Sequence, residues 1–161
     1  MNQRSTRRGW GWAAAVLLLL AVLQGSAQTN TIQFRAVDLF VDSTNQPLAA
    51  YQVEFTASPG VKIVGIEGGD HEVFRQPPFY DPKAIQRERA VLGAFSTAAA
   101  DKLPKGKTRV ATIHVQTSGS EALRFELVVK AAATVGGRKI PVQATATTRR
   151  LNEDQPKTRR Q

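Results

Sequence analysis

The chain has no cysteine among its 161 residues. That excludes disulfide cross-links, a thiolate nucleophile or metal ligand, and a lipid carried on an N-terminal cysteine. Tryptophan is nearly as scarce: Trp10 and Trp12 are the two, and both precede the body of the chain. Histidine is limited to His71 and His114, and there is neither a Gly-x-Ser-x-Gly elbow nor a glycine-rich phosphate loop opening a helix. No catalytic constellation can be assembled from what remains, so the chain is not expected to be an enzyme. The longest apolar run, residues 13–23, falls short of the ~20 residues that span a bilayer.

That run reads as part of an export signal. Arg4, Arg7 and Arg8 form a basic n-region, residues 13–23 the apolar segment, and Gly25-Ser26-Ala27 a small-residue cleavage site. A signal at 1–27 would leave a mature start near Gln28, with the Sec and twin-arginine routes both open because Arg7-Arg8 suits either. The expected location is the periplasm or the cell exterior, with no membrane insertion after cleavage. Setting aside a basic tail at 149–161, expected to be disordered, leaves 28–148 as one domain with enough chain for a sizeable core.

Charge of one sign is less abundant than the total suggests. The formal net charge is +9. Arg4, Arg7 and Arg8 leave with the signal, and the tail holds Arg149, Arg150, Lys157, Arg159 and Arg160 beside Glu153 and Asp154, so 28–148 keeps 14 basic and 11 acidic residues. A net of +3 without a concentrated stripe gives no reason to expect a nucleic-acid surface.

What is abundant is period-two alternation. Ile32 to Asp42 sets Val37, Leu39 and Val41 against Asp38, Phe40 and Asp42, and Tyr51, Val53 and Phe55 alternate with Gln52, Glu54 and Thr56. After Ser58-Pro59-Gly60 comes a more continuously apolar run, Val61, Ile63, Val64 and Ile66, that should pair with its predecessor or turn a corner with it. Further strands are predicted over 90–97, with a gap or bulge at Gly93; over 109–116, with Ala111, Ile113 and Val115 inward and Val110, Thr112, His114 and Gln116 outward; over 123–130; and from Ile140 onward. Asp81 before Pro82 predicts an N-cap and two helical turns ending near Arg89. Short strands separated by turn signals predict an all-β antiparallel sandwich with one short helix in a loop.

The succession AVDLFVDS, PLAAYQVEFTASPGVKIVGIEGGD, ERAVLGAFST, LPKGKTRVATIHVQTSG and LRFELVVKAAATVGGRKIPV resembles a bacterial cohesin domain. The resemblance implies a jelly roll of about nine strands, related in fold to some carbohydrate-binding modules. It also implies a protein partner of dockerin type, borne by secreted polysaccharide-degrading enzymes. The chain departs from the family where Thr56-Ala57-Ser58-Pro59 replaces an aromatic-Asp-Pro and where 71–89 is longer, and no family contact residue is carried over.

Two surfaces are candidate sites for a partner. Outward-facing Thr112, His114 and Gln116, with Arg124, Glu126 and Lys130, could form a polar docking face or simply a solvated one. Phe74, Phe79 and Tyr80 stand among Pro77, Pro78 and Pro82, either as a stiff recognition loop or folded back as a plug on the sandwich. Asp70-His71-Glu72 reads as an exposed polar turn rather than a metal site, and no metal or other cofactor is expected. The alternatives to protein binding are a carbohydrate-binding module, with polysaccharide as ligand, and a structural envelope protein that self-associates.

Overall fold

The computed structural model describes residues 31–118 and 123–150, Arg150 by its backbone. The segment 1–27 expected to be an export signal, the connection 119–122 and the tail from 151 lie outside the described residues. Seven strands succeed one another: β1 (Ile32–Asp42), β2 (Ala50–Ala57), β3 (Lys62–Gly68), β4 (Arg89–Phe95), β5 (Lys107–Ser118), β6 (Phe125–Ala133) and β7 (Gln143–Arg150). They form two antiparallel sheets, ordered β3-β5-β1-β7 and β4-β2-β6. The fold is therefore all-β and sandwich-like, with seven strands among the described residues where about nine were expected.

Each strand lies in the other sheet from the one before it, so no two consecutive strands pair. The β2 and β3 halves accordingly turn a corner. Gly60 takes φ 84 there, a left-handed value that glycine reaches without a Cβ penalty, and the Val61 amide closes the turn on the Ser58 carbonyl at 3.2 Å. Alternation then places Val37, Leu39 and Val41 of one sheet in the same buried cluster as Val53, Phe55 and Leu92 of the other.

The predicted helix is a single 3-10 turn, Pro82–Ala84. Asp81 does cap it, accepting from the Lys83 amide at 2.9 Å, but Ile85 is extended and Gln86 takes φ 69. Continuing the helix would forfeit what these residues bond. The Gln86 amide donates to the Ile63 carbonyl at 2.7 Å, and the Ile63 amide donates to the Arg87 carbonyl at 2.8 Å. On the other sheet Phe79 bridges Gly93 in both directions, at 2.7 and 3.0 Å. The 71–88 connection thus occupies backbone groups along the edges of both β3 and β4, which would otherwise invite pairing with another chain. Gly93 itself is regular in the β2–β4 ladder, opposite Gln52, and no bulge forms there.

The last strand also differs from expectation. Ile140 is buried but donates to Ala132 at 3.0 Å beside β6, and the chain crosses at Pro141 to begin β7 at Gln143 in the opposite sheet. Proline suits that crossing because it has no amide to leave unpaired. β7 then runs through Arg149 and Arg150, opposite Ala36 and Arg35, so the ordered body reaches past residue 148.

Candidate functional site

The β5 alternation breaks once, and the break sets the electrostatics of one sheet face. Ala111 stands opposite Leu39, but Arg109 stands opposite Phe40, leaving Val110 as an extra residue. Val110, expected outward, is consequently fully buried, and its carbonyl accepts from the Tyr51 hydroxyl at 3.1 Å. Burial pushes the Tyr51 phenol above its ordinary range. A bulge inverts the facing of the residues on its far side, so Arg109 joins Thr112 and Asp38 on the outer face.

There Arg109 Nη1 donates to Asp38 Oδ1 at 3.2 Å and to the Thr112 hydroxyl, while Thr112 donates to Asp38 at 2.8 Å. Arg149 of β7 donates to Asp38 Oδ2 at 2.9 Å, and Arg109 forks onto Asp70. Burial raises the Asp38 pKa, but hydrogen bonds from Arg149 and Thr112 and the charges of Arg149 and Arg109 outweigh it, leaving the carboxyl below its ordinary value. The hydrogen bond from Arg109 lowers Asp70 too. Gly68 and Gly69 make this approach feasible: a Cβ on Gly69 would lie 2.1 Å from the Arg109 carbonyl oxygen, and one on Gly68 2.0 Å from that of Arg75.

Asp70 is therefore tied to Arg109. His71 Nδ1 accepts from the Val73 amide at 3.4 Å, capping a short 3-10 turn, and Glu72 lies exposed. No group of three or more possible metal ligands converges among the described residues.

The six polar residues expected to share one face are divided. Thr112, His114 and Gln116 sit on β5, whereas Glu126 and Lys130 sit on β6 of the other sheet, with Arg124 just before it. Thr112 is fully buried within the Asp38 network. His114 Nε2 lies 3.0 Å from Glu67 Oε1, and Gln116 is half-buried opposite Phe34. Lys130 is the extra residue of a second bulge, between the partners of Gln52 and Val53. Its ammonium lies 3.0 Å from Glu54 Oε2, and Arg89 grips the same carboxylate with two bonds of 2.9 Å. Those donors, Arg89 first and then Lys130, bring the Glu54 pKa down to about 2.

The aromatic loop splits as well. Phe74 is 2% exposed and meets Tyr51 edge-on at 5.3 Å, and Tyr80 is half-buried against the core, so these two are plugs. Phe79 is 73% exposed. Its backbone bridge to Gly93 carries it onto the outer face of the β4-β2-β6 sheet, where it stacks with Phe95, 66% exposed, at 6.2 Å between centroids and 15° between planes. Phe95 was not anticipated as a site residue. Its outward register was readable, but the partner that makes the pair lies in another segment.

This face combines a stacked aromatic pair with an ion triad, Glu54 with Arg89 and Lys130, on the same sheet. No family model, curated protein or solved structure matches the chain.

Proposed function

We propose that the chain is an exported, non-catalytic recognition module, a cohesin-like jelly roll that binds a protein partner on the outer face of the β4-β2-β6 sheet. The observation that carries this reading is the stacked pair Phe79 and Phe95, left in water while Phe74 of the same loop is buried. Rigid aromatics on a regular sheet lose little side-chain entropy on docking and are characteristic anchors of protein interfaces. The resemblance to cohesins makes a dockerin-type module the first partner to try, and the basic n-region with its apolar run supports export.

A carbohydrate-binding role is the second reading, favoured by the near-parallel setting of the two rings, which offers a platform to a sugar ring. The test is binding of purified dockerin modules and of insoluble polysaccharide by the chain and by its Phe79→Ser/Phe95→Ser variant. Saturable dockerin binding lost in the variant supports the first reading. Retention on polysaccharide, lost in the variant, replaces it with the second. Concentration-dependent self-association with neither ligand bound replaces both with an envelope structural role.

A further inference from the structure

The two sheets have four outer edges, β3, β7, β4 and β6, and these are not finished alike. Gln86 and Arg87 bond Ile63 along β3, and Phe79 bridges Gly93 on β4. β6 carries Lys130 as an extra residue and exposes both Glu126 and Lys130. Its far end is paired as well, since the Thr134 amide donates to the Arg138 carbonyl at 3.0 Å and the Ile140 amide to that of Ala132 at 3.0 Å. Covering segments, charges and bulges are the devices that keep a strand edge from pairing with another chain.

From Gln143 to Thr148, β7 has none of these devices among the described residues. It pairs there with β1 alone, in unbroken register, and the six residues QATATT include no charge, proline or glycine. The backbone groups along its other side need water or a further strand as partner. Thr145 and Thr147 are exposed, whereas Ala144 and Ala146, on the opposite side of the strand, are half-buried against the core. Side chains this short let another strand come close.

We infer that β7 is a dimerisation edge whose occupant is the β7 of a second copy of this chain, joining two four-stranded sheets into one of eight. Partners across an antiparallel pair share a face, so a two-fold axis must centre on a residue rather than between two. Centred on Ala146, it sets Gln143 opposite Arg149 of the copy, Ala144 opposite Thr148, and Thr145 opposite Thr147. No two charges of one sign meet, and the threonine pairs suit a strand. Such an isologous contact closes on itself, giving a dimer and not a filament. β6 is the strand of the second sheet beside β7, and Phe95 on β4 is two strands further over. Each dimer therefore presents two open Phe79–Phe95 faces, but the inference rests on other residues and survives if those faces bind nothing.

The test is sedimentation velocity of the purified chain over a concentration series reaching roughly 1 mM, the weak end of specific association. Monomer should pass to dimer with no larger species. Thr145→Lys/Thr147→Lys sets lysine against lysine in two symmetric contacts and should weaken the dimer by at least roughly tenfold. Thr145→Glu/Thr147→Lys sets opposite charges in the same two contacts and should return association to near the parent value. The two variants differ only at position 145, which is exposed, so a gap between them reports the contact and not the stability of the fold. A monomer at every concentration overturns the inference. So does a dimer that Thr145→Lys/Thr147→Lys leaves unchanged, or that both variants weaken alike. Self-association lost instead in Phe79→Ser/Phe95→Ser assigns the contact to the aromatic face and overturns it too.

Discussion

Arg109 reaches Asp38, 71 residues away in sequence, because Val110 is one residue too many for the β1–β5 ladder. Unbroken alternation would have turned Arg109 inward with Ala111 and left Asp38, largely buried, with one fewer cation. The bulge is thus part of how the sheet neutralises its central carboxylate, and Arg149 completes the arrangement from the opposite neighbour strand.

Asp38→Ala is accordingly expected to destabilise the fold by about 2–4 kcal/mol, since it strands the Thr112 hydroxyl and removes the shared acceptor of two guanidinium groups. Asp70→Ala breaks a more exposed pair and should cost less than about 1 kcal/mol. Urea unfolding at neutral pH measures both. A smaller midpoint shift for Asp38→Ala than for Asp70→Ala would show that the network is not centred on Asp38.

Acid should expose the role of Glu54. Its folded pKa, about 2, lies below the ordinary 4.5, so the unfolded chain holds that proton more tightly than the folded one. The resulting stability is complete above about pH 5 and is lost as pH falls toward the folded value. Asp38 and Asp70 shift in the same direction. Glu54→Gln should lower the thermal midpoint at pH 7 and leave it nearly unchanged at pH 2, narrowing the gap between the two. Because Arg89 and Lys130 are partly in solvent, the effect should shrink with salt. An unaltered gap would remove Glu54 from the acid response.

Glycine replacements separate close approach from open space. Gly69→Ala drives a methyl group into the Arg109 carbonyl and Gly68→Ala into that of Arg75. Each should destabilise by about 1–3 kcal/mol or more, the usual range for overpacking. Gly136 has nothing within 4 Å of a built Cβ, and Gly136→Ala should stay within about 0.5 kcal/mol of the parent. Thermal unfolding of the three variants checks the order.

The strands were legible because their inward residues alternate with few exceptions, and β1 runs over the residues that alternation marks, Ile32 to Asp42. Which strand pairs with which was not. With every neighbour in a sheet distant in sequence, no hairpin turn advertises a pairing. The bulges at Val110 and Lys130 were invisible for a related reason, since an extra residue is defined against a partner strand that the local pattern does not reveal. For that reason the local pattern alone turns Val110 outward, gathers on one polar face residues that the structure divides between two, and groups Arg149 with the tail. Asp81-Pro82 announced a helix start correctly, but the demand for hydrogen bonds along the β3 edge, which ended it after one turn, comes from tertiary structure.

The two fates of the aromatic loop supply the sharpest contrast. Phe74 fills space beside Tyr51 under the loop, and Phe74→Ala should cost about 3–5 kcal/mol through lost burial and the cavity left behind. Phe79 and Phe95 contribute chiefly to each other, and their double replacement by serine should change stability by no more than about 1 kcal/mol. Denaturant midpoints would rank the variants, and the same proteins can be assayed for ligand. A stable Phe79→Ser/Phe95→Ser protein that no longer binds separates recognition from folding. One that unfolds at much lower denaturant instead would mean that the exposed pair is a structural cover on the β4 edge, and the recognition surface would have to be sought on another face.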